Sequence, residues 1–402
     1  MLSRRSFFSS AVGSSTLVAL SSTVPGFLAR SARSAESDPD GRVLVVIELN
    51  GGNDGINTVV PYRDDGYQRH RSALRLAPRE LIKVDDRVGL HPALSDLARL
   101  LDEGRLAVVQ GVGYPNPDRS HFQSLKIWHT ARPDSDGAAG PGWIGRSLDD
   151  QAGTTSSGPG AIFVGNTPPP AAVRGRRSAP IAVDRTDDFL LTDDVTSRPS
   201  KPGSGADDEL TAFIRRSSLD AYATADRMAA VTRRVAPGRP YPATRLAGRL
   251  EQISRLVKAG VGARFYYVLQ GGYDTHAGQL PAHARLLGEL SGALGAFLDD
   301  LSAARLGERV AVLCFSEFGR RVAENGSAGT DHGTAGPVLL AGGGVRPGLV
   351  TPTPSLTDLE DGDLKVGVDF RRVYAAVLDG WLGLPAEAAL GGAFEPLPLF
   401  RP

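Results

Sequence analysis

The sequence predicts an α/β fold in which helices cover both faces of a mostly parallel β-sheet. Short, wholly apolar runs rich in β-branched residues recur along the chain, as expected for strands that are buried on both faces. Segments with apolar residues at helical spacing alternate with these runs, and such alternation is typical of a parallel sheet covered by helices. A chain of 402 residues has room for one large domain of this kind with an insertion.

Five apolar runs are predicted to form the strands of the sheet. The first, residues 43–49 (VLVVIEL), ends at the turn sequence NGGNDG, and Gly and Asn favour tight turns. The other runs are residues 106–112 (LAVVQGV), 264–269 (RFYYVL), 310–315 (VAVLCF) and 337–340 (PVLL).

Four segments are predicted to be helices because their apolar residues recur three or four positions apart. Such a stripe buries one face of a helix against a sheet. The segments are residues 94–101, 245–257, 284–301 and 370–382.

The interval of about 130–240 differs from the rest in composition. Residues 153–160, 167–170 and 198–208 are rich in Ser, Gly and Pro, which favours loops or linkers. We therefore expect one α/β domain over residues 36–402 with a less regular insertion at about 130–240.

The first 35 residues have the pattern of a twin-arginine export signal. Arg4 and Arg5 precede a moderately apolar stretch, residues 11–28, and small residues at 29–35 offer a cleavage site. Ser and Gly interrupt the stretch, whereas a membrane span needs about 20 predominantly apolar residues. We therefore predict a periplasmic or extracellular protein that uses the twin-arginine translocase as its partner during export and has no stable membrane span.

Composition excludes several classes of protein. The chain has 45 basic and 45 acidic residues, so it lacks the excess positive charge of a nucleic-acid-binding protein. Its one cysteine, Cys314, rules out an intrachain disulfide, and the apolar run around it predicts a buried thiol. A carbohydrate-binding module needs clustered aromatic side chains, but Trp128, Trp143 and Trp381 belong to different predicted elements.

Acidic residues, histidines and a serine follow the predicted strands at the points where these strands end. Sites in open α/β sheets form outside the carboxyl ends of the strands, so these side chains are candidates for one site. Carboxylates together with imidazoles suit zinc, manganese or magnesium. The residues concerned are Asp54, Ser120, His121, Asp274, His276, Glu317, Asp331 and His332.

The motifs that contain these residues resemble those of a known family. The chain is similar to the exported bacterial proteins grouped as the domain of unknown function numbered fifteen-hundred-and-one, which is placed in the clan of alkaline phosphatases, sulfatases and cofactor-independent phosphoglycerate mutases. The resemblance covers nearly the whole chain and implies an alkaline-phosphatase-like fold. It rests on GGNDG (51–55), LHPAL (90–94), SHF (120–122), GYDTH (272–276), SEFGR (316–320) and GTDHG (329–333).

The resemblance also implies roles for individual residues. Ser120 would be the nucleophile. By their chemistry, the adjacent His121 is a candidate to orient the leaving group or to have a structural role in its loop, and Arg119 or Arg320 is a candidate to hold an anionic substrate through a bidentate contact or to face solvent. One or two divalent ions (zinc, manganese, magnesium or calcium) would be bound by Asp54, Asp274, His276, Glu317 and His332.

Two departures from the pattern of the active enzymes leave two functions open. The first strand ends in Asn50 instead of an aspartate, and Phe318 stands where those enzymes have a histidine. One reading is an exported metal-dependent hydrolase whose substrate is a small anionic ester, a phosphate or a sulfate, or a surface glycan. The alternative is a non-catalytic binding or assembly protein at the cell surface, on the same fold with a degraded metal site.

The export signal makes a direct prediction. Replacing both arginines, Arg4→Lys with Arg5→Lys, should leave the protein in the cytoplasm, because the translocase reads the guanidinium pair. Cell fractionation followed by immunoblotting measures this, and normal export of the double variant would contradict the assignment.

Overall fold

The computed structural model describes residues 41–133, 140–151, 160–184, 235 and 238–401. The predicted signal, residues 1–35, and much of the predicted insertion at about 130–240 lie outside these residues. No helix among the described residues is long and apolar enough to cross a bilayer.

Most strands of the described residues belong to one nine-stranded sheet, with the order β11-β5-β10-β9-β1-β8-β6-β7 and with β14 beside β5. Two small sheets, β2-β4-β3 and β12-β13, lie outside it. The strands are β1 (Val43–Asn50), β2 (Val59–Val60), β3 (Ile82–Lys83), β4 (Gly89–Leu90), β5 (Leu106–Gly113), β6 (Ala161–Val164), β7 (Ile181–Val183), β8 (Phe265–Gly271), β9 (Val310–Phe315), β10 (Gly336–Gly342), β11 (Gly348–Leu349), β12 (Leu359–Glu360), β13 (Asp363–Leu364) and β14 (Val368–Asp369).

Strand direction decides which loops share an edge of the sheet. Neighbours from β9 through β1, β8 and β6 to β7 pair in parallel, whereas β10 is antiparallel to both β9 and β5. The chain therefore leaves β1, β5, β8 and β9 at one edge and enters β10 at that same edge. We call this the carboxyl edge.

Helices cover both faces of the sheet. The helices are α1 (Gly55–Thr58), α2 (Asp65–His70), α3 (Ser95–Asp102), α4 (His121–Thr130), α5 (Trp143–Asp150), α6 (Arg245–Lys258), α7 (Gln279–Ala303), α8 (Phe370–Ala375) and α9 (Ala386–Leu390), with a π-helical segment at Ala376–Leu382. On one face, α3, α6 and α7 pack against alternate residues of β1 such as Val45 and Ile47. On the opposite face, α4, α5, α8 and α9 pack against Leu44 and Val46.

The predicted fold class and all five predicted strands are confirmed. Three further features come from the structure alone. The fifth strand is antiparallel, since β10 returns from the carboxyl edge. The interval of the predicted insertion contributes β6 and β7 to the main sheet. His121, expected in a loop, is the first residue of α4.

The thiol of Cys314 is buried in β9, as predicted. Burial raises its pKa to about 12, because the thiolate is poorly solvated there. The side chain is therefore an inert part of the core.

The turn after β1 requires glycine. Gly51 has a φ of +121°, and a Cβ at this position would overlap the backbone of Asp274. The turn can therefore pack directly against the loop that follows β8 only because it lacks a side chain here.

We expect Gly51→Ala to lower the free energy of unfolding by at least about 2 kcal/mol, through strained backbone together with overlap. Gly348→Ala is a matched control, since Gly348 has a φ of +113° and open space where a Cβ would lie. Chemical denaturation of both variants separates the two causes. Equal losses would show that backbone strain alone is responsible.

Candidate metal centre

Three polar atoms at the carboxyl edge lie at equal distances from one another. The Nε2 atoms of His276 and His332 are 3.0 Å apart, and each is 3.0 Å from Oδ1 of Asp274. Asp274 and His276 follow β8, and His332 precedes β10. The antiparallel direction of β10 is what brings His332 to this edge.

A fourth donor comes from the N-terminus of α4. Nε2 of His121 lies 3.6 Å from Oδ2 of Asp274, and the rings of His121 and His332 are 4.4 Å apart between centroids. One ligand atom from each of His121, Asp274 and His332 lies within 4.8 Å of the others. Nε2 of His121 is buried and has no hydrogen-bond partner.

The hydrogen bonds behind the three rings determine where their lone pairs point. In each ring, Nδ1 faces an atom that only accepts: the carbonyl oxygen of Arg119 for His332, at 2.8 Å, and a carboxylate oxygen for the other two rings. Nδ1 of each neutral imidazole must therefore carry the proton, and Nε2 keeps its lone pair. These carboxylates belong to Glu317, 2.8 Å from His121, and Asp331, 3.2 Å from His276.

Three lone pairs and a carboxylate directed at one another repel unless a cation or a proton lies among them. Metal-binding histidines commonly donate their second ring N–H to a carboxylate or a backbone carbonyl, which fixes the ring and strengthens its donor atom. The cluster His121–Asp274–His276–His332 has this arrangement in all three of its rings. Its residues fit a divalent metal ion, and we refer to them as the metal centre.

The charge state of Asp274 also suits a ligand. Partial burial disfavours its ionisation, but the hydrogen bond and the positive charge of Arg320 outweigh this and lower its pKa to about 2. The carboxylate is therefore ionised at neutral pH. By contrast, the hydrogen bond to the carboxylate of Glu317 raises the pKa of His121.

Glu317, predicted as a metal ligand, instead contacts the ring of His121 on the side away from Nε2. Its side chain is fully buried, and Oε1 accepts from the backbone N–H of Gly51 and from His121. Oε2 accepts from the N–H of Gly52 and from the hydroxyl of Ser316. Both oxygens are thus engaged by protein donors, so the structure does not bring Glu317 into the ligand cluster.

Arg320, predicted to hold substrate, also makes its contacts within the protein. Its guanidinium is buried and donates to Oδ1 of Asp274 at 2.7 Å. The guanidinium also donates to four backbone carbonyls, those of Gly51, Gly52, Tyr273 and Thr330. It organises the loops around the centre and, because it is buried, is not exposed to a substrate.

Asp54, predicted as a metal ligand, lies in a separate buried network. Its carboxylate forms a bidentate ion pair with Arg71, with both side chains fully buried, and also accepts from Gln279. The guanidinium outweighs the effect of burial and lowers the pKa of Asp54. Sequence reasoning missed Arg71, because nothing near Arg71 in the chain marks it as the partner of Asp54.

Ser120 and Arg119 lie at the exposed rim of the centre. Ser120 is the N-cap residue of α4, and its side chain makes no capping hydrogen bond. Arg119 is half-exposed and forms an ion pair with the buried carboxylate of Asp363. The structure therefore places Ser120 next to His121 in the chain, and the backbone carbonyl of Arg119 in a hydrogen bond with His332.

Two further histidines, His91 and His283, are buried beside the network of Asp54. Nδ1 of His91 accepts from the N–H of Ala93, and Nε2 of His283 lies 2.9 Å from Oδ1 of Asn53. Burial lowers the pKa of each imidazole to about 4, well below the ordinary value of 6.5. Both are therefore neutral in the folded protein at neutral pH.

This network predicts how stability depends on pH. Between pH 6.5 and pH 4 the unfolded chain protonates both imidazoles while the folded protein does not, so the free energy of unfolding should fall as pH falls through this window. Each full pKa unit corresponds to about 1.4 kcal/mol per group. Denaturant titrations of metal-free protein at several pH values measure this. The double variant His91→Gln with His283→Gln should show a shallower slope, and an unchanged slope would contradict the assignment.

Comparison with known proteins gives a family and distant structural likenesses. No curated protein matches the chain. Similar solved structures include a phosphonate monoester hydrolase of Agrobacterium radiobacter, with 10% identity, a TM-score of 0.42 and coverage of 88% of this chain and 78% of that chain. The C-terminal periplasmic domain of EcEptC from Escherichia coli, in complex with zinc, has 11% identity, a TM-score of 0.40 and coverage of 86% and 83%. The model of the family described as "Protein of unknown function (DUF1501)" matches residues 42–389, so the protein belongs to that family.

Proposed function

We propose that the protein is an exported, metal-dependent hydrolase of the phosphatase and sulfatase type that acts on a phosphate or sulfate ester. The observation that carries the proposal is the convergence of three imidazole Nε2 atoms and the carboxylate of Asp274 beside Ser120. The family is described only as being of unknown function, so the argument for a reaction depends on this geometry.

Ser120 is the candidate nucleophile. It is exposed, it makes no capping hydrogen bond, and it immediately precedes His121 at the start of a ten-residue helix. The first turn of a helix has unpaired N–H groups and a partial positive charge, which favour an anionic group placed there. A divalent cation at the centre supplies positive charge against the oxygens of the transferring group and acidifies a nearby hydroxyl.

The remaining residues hold this arrangement in place. Glu317 and Asp331 keep the rings of His121 and His276 oriented, and Arg320 fixes the carboxylate of Asp274. Arg119 is the rim cation available to the anionic part of a substrate, since its guanidinium remains half-exposed while paired with Asp363.

One observation favours a second function, a non-catalytic binding or assembly protein at the cell surface. Arg320 and Asp54, two residues expected to handle substrate and metal, are both committed to buried internal contacts. A metal centre with fewer groups for the reaction would still serve to bind an anionic ligand. On either function, the protein works outside the cytoplasm after export and loss of residues 1–35.

Ser120→Ala should separate these functions. If Ser120 is the nucleophile, the variant should lose turnover of an aryl phosphate or aryl sulfate by several orders of magnitude. Its free energy of unfolding should change by less than about 0.5 kcal/mol, because an exposed hydroxyl is removed. Ser95→Ala, which alters an exposed serine at the start of α3, is the matched control and should keep full activity.

The wild type must be assayed with zinc, manganese, magnesium and calcium in turn. Activity that survives in Ser120→Ala would keep the hydrolase but assign the attack to water. Absence of hydrolysis in metal-loaded wild-type protein would leave the binding protein as the function.

A further inference from the structure

Building on the metal centre of the proposed function, we propose that this centre binds a single late first-row transition ion, with His121, Asp274, His276 and His332 as its ligands. We further propose that Arg71 provides, at Asp54, the positive charge that a second metal ion would otherwise provide.

The class of ion follows from the donor atoms. The cluster offers three imidazole nitrogens and one carboxylate, whereas magnesium and calcium are bound in proteins by oxygen ligands. Imidazole suits zinc, iron, nickel and copper, and zinc is commonly four-coordinate with nitrogen and oxygen ligands. A nitrogen-rich cluster of this kind should therefore select zinc over calcium or magnesium.

The ligand role of His121 follows from its two ring nitrogens. Nδ1 donates to the buried carboxylate of Glu317, so the lone pair is on Nε2. That Nε2 is buried without a hydrogen-bond partner and is directed toward Asp274, 3.6 Å from Oδ2. An unpaired buried acceptor of this kind is costly unless something binds its lone pair, and a metal ion shared with Asp274 meets this requirement.

The number of ions follows from the other carboxylates near the carboxyl edge. Each oxygen of Glu317 accepts from two protein donors, as described above. Asp331 accepts from His276 and from the side-chain amide of Asn325 through the same oxygen, Oδ1. Neither carboxylate is positioned with a second set of nitrogen or oxygen donors, so the described residues provide one ligand set.

Asp54 is the other carboxylate predicted as a ligand, and its charge is already neutralised. Arg71 contacts both of its oxygens, at 2.5 and 3.0 Å, and neither side chain is exposed to solvent. The same guanidinium is held by the carbonyls of Arg321 and Val322, so it cannot swing away without losing further hydrogen bonds. A cation at Asp54 would have to displace a buried guanidinium that is held by four hydrogen bonds.

The test is metal stoichiometry in the full-length exported protein, after removal of bound metal with a chelator. Titration with zinc, followed by elemental analysis of the desalted protein, should give one ion per chain. Cobalt absorption serves as an independent readout of ligation by imidazole. Calcium, added at the same concentrations, should not compete.

Single substitutions assign the ligands. His121→Ala, His276→Ala and His332→Ala should each weaken zinc binding by at least about 10-fold and reduce the rise in Tm that zinc produces. His70→Ala, a histidine of α2 that lies outside the centre, is the control and should bind one ion with unchanged affinity. Unchanged affinity in His121→Ala would overturn its ligand role.

Asp54→Asn tests the role of Arg71 and should still bind one ion. Because this variant leaves Arg71 unpaired in the interior, the double variant Asp54→Asn with Arg71→Met removes both charges and keeps the test valid if the single variant does not fold. Two ions per wild-type chain, falling to one in either variant, would overturn the proposal, and so would calcium binding as tight as that of zinc. An inactive protein that binds one zinc ion would support this inference while rejecting the hydrolase.

Discussion

The carboxyl edge depends on one buried guanidinium, that of Arg320. It donates to the backbone of the turn after β1, to the loop after β8 and to Thr330 in the segment that precedes β10, and it also holds the carboxylate of Asp274. A buried guanidinium is costly to desolvate unless it is paired, and here Nε, Nη1 and Nη2 each donate to protein acceptors. Arg320 therefore fixes three loops relative to one another.

A second constraint comes from the glycines that let these loops approach. Gly51 packs against the backbone of Asp274, and Gly329 packs against that of His276. Glu317 completes the arrangement by accepting from the N–H groups of Gly51 and Gly52. Because the backbones of these loops lie this close together, the side chains of the metal centre can contact one another.

The metal centre and the network of Asp54 show two physical solutions for carboxylates at the same edge. Asp274 is half-exposed, is oriented by Arg320 and faces the imidazole nitrogen of His332. Asp54 is fully buried and is neutralised internally by Arg71. Two aspartates that look equivalent in the chain therefore differ in exposure and in partner.

The sequence by itself determined the alternation of strands and helices, the buried thiol of Cys314 and the family, because these depend on local periodicity and on short motifs. It also singled out Asp274, His276 and His332 as candidate ligands, which stay predictions. The direction of β10, the pairing of Asp54 with Arg71 and the contact between Glu317 and His121 were decided only by the tertiary structure. Each depends on contacts between residues far apart in the chain: Glu317 and His121 are 196 positions apart, and Arg320 and Gly52 are 268. Local pattern carries no information about such pairs, whereas burial forces every charged group in the interior to find its partner.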